Sequence, residues 1–280
     1  MAKVVVTGAS GNCGRVINRH LAEHGFDVLG VDVIPPDDFA GPPWAVADLS
    51  DFGQTVGVLE GANAVVHFGA IPGDGMAAPS ETFRNNLMAS FNVLEACRRM
   101  NIKRIVVASS IEVHATYAQF QYVPVDEAHP VSPQAAYGLA KFLAEQACDV
   151  FSELADASIA SFRLPRIMHP DQYATRLPGF WENPKAAADC LWTYIDGRDV
   201  AQACRLAIQK DLGGHEIFWL SADTTHMKTP TRQLLSEYRP DITDVRVELP
   251  GLTPAISDAK IRRMLGFTPK HRWEDHCIGN

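Results

Sequence analysis

Short runs of apolar residues alternate along the chain with longer stretches whose apolar positions recur at helical spacing. The apolar runs predict strands at residues 4–6, 27–31, 45–47, 64–68, 104–108, 158–164 and 216–220. The periodic stretches predict helices at residues 15–24, 80–100, 133–154, 199–209, 230–238 and 258–265. Strands that are apolar throughout are typical of a parallel sheet covered by helices on both faces. The alternation therefore predicts an α/β fold built on a doubly wound parallel sheet.

Two of the predicted helices carry boundary signals. Ser132 followed by Pro133 predicts the start of the helix at 133–154, because a hydroxyl caps the first turn and proline fits its first position. Ser257 and Gly266 predict the start and the end of the last helix.

A glycine-rich turn joins the first predicted strand to the first predicted helix. Gly8, Gly11 and Gly14 are spaced three residues apart. Glycine lets the backbone approach a pyrophosphate closely, and the helix that follows offers unpaired N–H groups to its charge. The turn predicts a dinucleotide site that also includes the residues between the glycines, Ser10, Asn12 and Cys13. We expect Cys13 to be a small packing residue there rather than a redox centre.

Two aspartates follow the next strands. Asp32 lies 18 residues beyond Gly14, at the end of the second predicted strand. A carboxylate there accepts hydrogen bonds from the ribose hydroxyls of NAD and repels the extra phosphate of NADP. Asp48 and Leu49 follow the third strand, where such a pair would face the adenine. The sequence thus predicts NAD as the cofactor.

Tyr137 and Lys141 lie one helical turn apart on the same face of a predicted helix. A free tyrosine is a poor base at neutral pH, and a lysine cation nearby favours the phenolate and is able to hold the nicotinamide ribose. Ser110 ends the fifth predicted strand, where its hydroxyl is placed to orient a reacting oxygen. Together with the glycine turn, this set predicts hydride transfer to or from an alcohol.

The composition of the chain narrows the classes of partner and the cellular compartment that it fits. Among 280 residues the formal net charge is -8 and there is no run of Lys or Arg, which argues against nucleic acid. Neither a signal peptide nor an apolar run of membrane-spanning length is evident, so we expect no membrane association. The six cysteines form no C-x-x-C pair and no set with zinc spacing, which predicts no metal site and a reducing cytoplasm.

The regular alternation breaks after residue 164. Residues 165–198 are rich in Pro, His and Trp and are predicted to be irregular, whereas 199–221 return to the helix and strand pattern. We expect a Rossmann-type NAD-binding domain over 1–164, joined by 199–221. Residues 165–198 and 222–280 would form a small interleaved substrate-binding lobe.

These motifs resemble the extended short-chain dehydrogenase/reductase family, specifically its NAD-dependent sugar epimerase/dehydratase group, over nearly the whole chain. The turn from Thr7 to Gly14 is similar to its T-G-x-x-G-x-x-G. Further matches are Asp48-Leu49, His67-Phe68-Gly69-Ala70, Asn86, Ser109-Ser110-Ile111-Glu112-Val113-His114, Tyr137 with Lys141, residues 194–201 and residues 261–273.

The resemblance implies roles for these positions. Ser110, Tyr137, Lys141 and Asn86 would form the catalytic set, in which Asn86 supports the active site. Phe68, Gly69 and Ala70 would line the cofactor site, and Ile111 and Glu112 would join Ser110 at the substrate. It also implies a homodimer in which the helices at 80–100 and 133–154 meet their symmetry mates.

Two departures from the family pattern concern the substrate. Dehydrating members carry adjacent Asp and Glu after the catalytic hydroxyl, but here Ile111 precedes Glu112, which disfavours 4,6-dehydration. The segment from Pro165 to Pro170 lacks the family's usual asparagine. It carries Arg166 instead, which we expect to bind an anionic group of the substrate. Uronate dehydrogenases, small members of this group, are comparably compact.

The leading hypothesis is an NAD-dependent oxidoreductase that acts on a secondary alcohol, lactol or ketone of a sugar, sugar acid or similar polar molecule. One alternative is a nucleotide-sugar epimerase with tightly bound NAD. Another is a non-catalytic NAD-sensing protein, which would need only the dinucleotide site.

Overall fold

Seven parallel strands form the central sheet of the protein. The structure is a computed structural model that describes residues 1–35, 41–114 and 120–277. In chain order its strands are β1 Lys3–Thr7, β2 Asp27–Asp32, β3 Trp44–Val46, β4 Ala64–His67, β5 Arg104–Ala108, β6 Tyr122–Val123, β7 Ser158–Arg163, β8 Arg166–Met168, β9 Tyr194–Asp196, β10 His215–Trp219 and β11 Asp244–Val245. The central sheet has the order β10-β7-β5-β4-β1-β2-β3.

Helices cover both faces of this sheet. They are α1 Asn12–Glu23, α2 Phe52–Leu59, α3 Pro79–Arg99, α4 Ala136–Ala155, α5 Pro170–Glu182, α6 Gly197–Gln209, α7 Thr231–Tyr238, α8 Ala259–Leu265 and α9 Glu274–Cys277, with short 3₁₀ turns at Ile111–His114 and Pro184–Ala187. Helices α1 and α6 pack on one face, and α2, α3 and α4 pack on the other. In the described ranges, no helix combines the length and apolar character needed to cross a membrane.

Alternate residues of the strands feed two separate cores. In β1, Val4 and Val6 pack under α1 and α6, whereas Val5 packs under α3, and all three are fully buried. This two-sided burial explains why the strands are apolar throughout. It confirms the predicted doubly wound parallel sheet.

The strand order reverses between β1 and β4, and this reversal positions the functional site. From β1 the chain proceeds outward through β2 to β3, and it then returns to place β4 on the other side of β1. Ligands of such sheets bind in the crevice beyond the carboxyl ends of the strands at this point.

The segment 165–198, predicted to be irregular, contains a 13-residue helix, so that prediction is wrong. Helix α5 begins at Pro170, which fits the first helical position, and it buries Tyr173 and Leu177 at helical spacing. Pro178 lies inside the helix and interrupts the sequence pattern that would have revealed it. Strands β8 and β9 of this segment form a separate two-stranded parallel sheet.

The start of α4 also differs from the prediction. The helix begins at Ala136, three residues after Pro133, and Ser132 does not cap it. Instead, the backbone N–H of Ser132 donates to the carbonyl oxygen of Val113, which ties this stretch to the 3₁₀ turn. At the other end of the chain, α8 ends at Gly266 in the left-handed conformation, as predicted.

Two tryptophans, one of them at the end of β10, are core residues. Trp192 and Trp219 are fully buried in an apolar cluster that also holds Leu234 of α7. Neither therefore lines a ligand cleft.

Candidate active site

A cleft of about 1080 Å³ opens at the carboxyl ends of β1, β2, β4 and β5. It brings together almost all of the predicted site residues. The cofactor set that lines it is Gly8, Ser10, Gly11, Asn12, Cys13, Gly14, Asp32, Asp48, Leu49, Phe68, Gly69 and Ala70. The catalytic and substrate set that lines it is Ser110, Ile111, Glu112, Tyr137, Lys141 and Arg166.

The glycine turn fits closely against the strands behind it. Gly8 has a φ of +69°, and a Cβ there would come within 2.6 Å of the Phe68 backbone. A Cβ on Gly14 would come within 2.1 Å of the Gly8 carbonyl oxygen, so this glycine lets α1 pack against the turn. Gly11 stands at the N-cap of α1 and brings no side-chain oxygen to its first turn. The N–H groups there remain available to the phosphates of a dinucleotide.

Cys13 packs against the apolar core beneath this turn. Burial raises the pKa of its thiol to about 12, and the charge of Asp196 acts in the same direction. The thiol is therefore protonated at neutral pH, which suits the packing role expected of it.

Asp32 is held at the end of β2 by two backbone donors. Its Oδ2 atom accepts a hydrogen bond of 2.9 Å from the Ser10 N–H, and its Oδ1 atom accepts one of 2.8 Å from Val33 N–H. The carboxylate is thereby fixed at the rim of the cleft, beside the glycine turn. Each of its oxygens retains a lone pair for a ribose hydroxyl.

Asp48 and Leu49 lie farther along the same end of the cleft. The Oδ1 atom of Asp48, which is exposed, accepts a hydrogen bond of 2.8 Å from Ser50 N–H. Leu49 is buried, and its carbonyl oxygen accepts hydrogen bonds from Thr55 and Asn92. The pair thus offers an apolar surface with a carboxylate beside it.

Asn86 lies behind the cleft wall rather than in it. Its Oδ1 atom accepts from the N–H of Ile71 at 2.8 Å, and its Nδ2 atom donates to the carbonyl oxygen of Ile71 at 2.9 Å. Both hydrogen-bonding groups of its amide are thus engaged with one residue of the loop that follows β4. The geometry gives Asn86 a positioning role in place of the catalytic one expected from the sequence.

A buried histidine links the same loop to the sheet. The Nδ1 atom of His67 lies 2.8 Å from the Thr7 hydroxyl, and its Nε2 atom lies 3.2 Å from the Ser90 hydroxyl. The Thr7 hydroxyl in turn accepts a hydrogen bond from Gly69 N–H. Burial lowers the pKa of His67 to about 3, and the charge of Lys141 contributes, so the imidazole is neutral.

The two adjacent serines have different partners. Ser109 donates a 2.5 Å hydrogen bond to Glu145, which also pairs with Arg163 in a buried ion pair. The hydroxyl of Ser110 accepts a 3.2 Å hydrogen bond from Glu112 N–H and also forms a hydrogen bond with Tyr137. These contacts favour Ser110 over Ser109 as the hydroxyl that meets a substrate.

Tyr137 projects into the cleft from the first turn of α4 and is half-buried. Burial raises the pKa of its phenol to about 12. A hydrogen bond with Ser110 opposes this shift, and the carboxylates of Glu112 and Asp74 add to it. The phenol is therefore protonated at neutral pH in the protein alone.

Lys141 is buried one turn farther along α4. Its Nζ atom donates a 2.7 Å hydrogen bond to the Ala108 carbonyl oxygen and lies 5.7 Å from the centre of the Tyr137 ring. Burial lowers the pKa of Lys141 to about 8. The ammonium is therefore poised between its charged and neutral forms near physiological pH.

The other end of the cleft is bounded by β8 and α5. The guanidinium of Arg166 stacks over the Phe180 ring, with its Cζ atom 4.6 Å from the ring centre. Its Nε atom is buried and has no hydrogen-bond partner among the described residues, and the same holds for the Oε1 atom of Gln172. Asp189 and Cys190 complete this end, and the Oδ1 atom of Asp189 accepts from the Cys190 N–H.

Sequence reasoning missed the residues that α5 contributes. His169, Gln172 and Arg176 line the cleft at helical spacing along one face of this helix and its N-cap. An i, i+3, i+7 pattern of polar residues beginning at His169-Pro170 was the available signal. Across the described parts of the chain, no group of three or more His, Cys, Asp or Glu side chains is arranged to hold a metal ion.

The comparisons with known proteins agree with this geometry. The NAD dependent epimerase/dehydratase family matches residues 4–219. A UDP-glucose 4-epimerase of Corynebacterium glutamicum is 27% identical over 96% of this chain and 91% of its own. A uronate dehydrogenase of Pseudomonas putida is 30% identical over 79% of this chain and 76% of its own.

A solved structure shares the fold. A short-chain dehydrogenase/reductase superfamily protein from Agrobacterium tumefaciens with bound NAD superposes with a TM-score of 0.75 at 22% identity. The match covers 98% of this chain and 94% of that one. With the glycine turn, Asp32 and the Ser110, Tyr137 and Lys141 set in one cleft, the chain belongs to the NAD dependent epimerase/dehydratase family and is an NAD-dependent enzyme of the extended short-chain dehydrogenase/reductase type.

Proposed function

We propose that the protein is an NAD-dependent dehydrogenase that oxidises a hydroxyl or lactol carbon of a sugar acid. The observation that carries this proposal is the guanidinium of Arg166 at the substrate end of the cleft. Phe180 fixes it from one side, and its buried Nε–H lacks a protein acceptor among the described residues. The rest of the guanidinium lines the cleft, where a ligand carboxylate would pair with it and stabilise the site.

Gln172 adds a complementary requirement. Its Oε1 atom is a buried acceptor without a partner among the described residues, and it lines the same cleft as Arg166. We infer that the ligand offers a group that accepts from Arg166 and a polar group that faces the Gln172 amide. A carboxylate with nearby hydroxyls, as in a sugar acid, meets both requirements.

The chain's own residues account for the proton chemistry. Oxidised NAD, when bound, supplies the hydride acceptor and a positive charge in this part of the cleft. Ser110 donates to the substrate oxygen and orients it, and Tyr137 accepts the hydroxyl proton as the phenolate. Lys141 favours that phenolate electrostatically, and its position on α4 lets it hold the nicotinamide ribose. Gly8, Gly11, Gly14 and Asp32 would hold the pyrophosphate and the adenosine ribose.

Nucleotide-sugar epimerisation is the second candidate function. It is favoured by the near full-length similarity to the C. glutamicum UDP-glucose 4-epimerase. That reaction regenerates NAD in each turnover, so it gives no net NADH. It also needs a place for a nucleotide, and the end of the cleft that Arg166, Gln172 and Arg176 line would have to hold it.

The same proposal assigns residues 1–164 and 199–221 to an NAD-binding domain. It assigns residues 165–198 and 222–280 to a substrate-binding lobe.

The proposal also includes a homodimer in a reducing cytoplasm. An apolar surface on α3 and α4 supports the dimer, because Phe91 and Val150 are 43% and 55% exposed there and Leu154 is 65% exposed. Apolar surface of this kind favours self-association. Light scattering that gives a monomer mass at micromolar concentration would exclude it.

The experiment that tests the function is a substrate panel. The protein is incubated with NAD and, separately, with neutral sugars, uronic acids, aldonic acids and nucleotide sugars, while NADH is followed by absorbance. NADH formed with an acid and not with the matching neutral sugar supports the proposal. Isomerisation of a nucleotide sugar without net NADH supports the epimerase instead.

A further inference from the structure

The catalytic helix receives its N-terminal cap from a distant loop. Ala135, at the N-cap of α4, has no side-chain acceptor to offer. Instead, the Oδ1 atom of Asp74 accepts a 3.1 Å hydrogen bond from the backbone N–H of Tyr137. Asp74 is 63 residues earlier in the chain, so this contact joins two separate elements of the site at the residue that carries the reactive phenol.

The loop that carries Asp74 is part of the cofactor wall. It runs from β4 to α3, and its residues Gly69, Ile71, Gly73 and Met76 line the cleft. Asn86 fixes the loop at one end through the backbone of Ile71. Asp74 lies between that anchor and α3, and its hydrogen bond links the loop to α4.

We propose that Asp74 is a positioning residue that fastens the cofactor loop to the catalytic helix and so couples binding of NAD to the placement of Tyr137. The proposal rests on the proposed dehydrogenase function only for its kinetic readout. Anions stabilise helix N-termini, so a carboxylate suits this place better than a neutral cap.

The charge of Asp74 also reaches the phenol. The groups that face Tyr137 are Ser110 just before the 3₁₀ turn, Glu112 on that turn, Asp74 on the loop and Lys141 on α4. Both carboxylates disfavour the phenolate. An uncharged residue in place of Asp74 therefore makes deprotonation of Tyr137 easier, whereas loss of the hydrogen bond loosens the first turn of α4. These two effects are separable by substitution.

Two variants separate them. Asp74→Asn keeps the acceptor oxygen and removes the charge. Its dissociation constant for NAD should stay near that of the wild type, and the acid-side midpoint of the kcat/KM profile for oxidation should fall by about half a pH unit.

Asp74→Ala removes both the acceptor oxygen and the charge. It should weaken NAD binding by about fivefold, measured by quenching of protein fluorescence without substrate, and it should lower kcat.

Asp51→Ala is the matched control, because Asp51 caps α2 in the same way through Gln54 N–H. It should lower the melting temperature by about 3 °C without moving the pH midpoint. The proposal is overturned if Asp74→Ala lowers the melting temperature, as Asp51→Ala does, and has no other effect. It is also overturned if the affinity for NAD and the midpoint of the pH profile are unchanged in both Asp74 variants. If the substrate panel yields no oxidisable substrate, the dissociation constants of the variants for NAD still test the role of Asp74. Failure of the proposed function is therefore distinguishable from failure of this proposal.

Discussion

The Nζ atom of Lys141 donates a 2.7 Å hydrogen bond to the carbonyl oxygen of Ala108 at the end of β5. This contact fixes the ammonium near the Tyr137 ring and leaves two of its three protons for other acceptors. The central strands thus place a cation near the phenol, and burial lowers the pKa of that ammonium to about 8. In the proposed reaction, the proton chemistry depends on these two neighbouring groups of α4.

Replacement of Tyr137 by Phe should remove the proton acceptor while the ring keeps its packing. We expect NAD affinity within about twofold of the wild type and turnover lower by at least about 100-fold, as is usual when a general acid or base is lost. Steady-state kinetics and fluorescence titration with NAD measure the two effects. Turnover near the wild-type value would remove Tyr137 from the mechanism.

Asp32→Ala should weaken NAD binding by about tenfold, because charged acceptors contribute the stronger hydrogen bonds. It should also narrow the preference for NAD over NADP, since the repulsion of the NADP phosphate is lost. Asp32→Asn is the matched control. It keeps one acceptor oxygen, enough for one of the N–H groups of Ser10 and Val33, so it should narrow the preference for NAD over NADP with less loss of affinity for NAD than Asp32→Ala. A wild-type protein that already prefers NADP would refute this role.

Arg166→Lys keeps a positive charge but loses the planar guanidinium that stacks on Phe180. It should raise KM for the acid substrate by about tenfold and leave the dissociation constant for NAD unchanged. Arg263→Lys, at an exposed position on α8, is the control and should change neither value. If Arg166→Lys and Arg166→Ala both leave KM and kcat unchanged, the preference for a sugar acid loses its main support.

Stability should fall in acid because three histidines are buried in the neutral form. Burial lowers the pKa of His67, His114 and His226 to about 3, well below the unfolded value of about 6.5. Between these values the unfolded chain binds more protons, so the stabilising effect is complete above about pH 6.5 and declines towards about pH 3.

His226→Leu tests this pH dependence without altering the cofactor turn. The free energy of unfolding in urea, measured between about pH 7 and pH 4, should fall less steeply in the variant. The difference should be up to about 1.4 kcal/mol per pH unit, which corresponds to one proton. Leu220→Ala controls for loss of stability alone, because it leaves every titratable group in place. Equal slopes in the wild type and His226→Leu would contradict the account.

The sequence predicted those features of the site whose residues lie close together along the chain. The turn from Gly8 to Gly14 requires small residues within seven positions, and the Tyr137 and Lys141 pair requires only one helical turn. Both patterns are therefore visible in the chain itself, and the structure places all four of these residues in the cleft.

Determinants that came from elsewhere in the fold were not predictable in this way. The start of α4 is displaced from Pro133 because its capping carboxylate, Asp74, comes from another element. Asn86 was predicted to be catalytic, yet its amide is taken up by Ile71, a contact that only the folded loop creates. The contribution of Gln172 was hidden because Pro178 obscured the helix that carries it.

The measurement that tests the central claim most directly is the amount of NADH formed per enzyme with the best acid of the panel. A dehydrogenase that releases its cofactor forms NADH in large excess over enzyme, and it does so until NAD or substrate is exhausted. We predict this result for the wild type and less than about one hundredth of the rate for Tyr137→Phe. No more than one NADH per enzyme, together with isomerised substrate, would contradict the account and identify an epimerase.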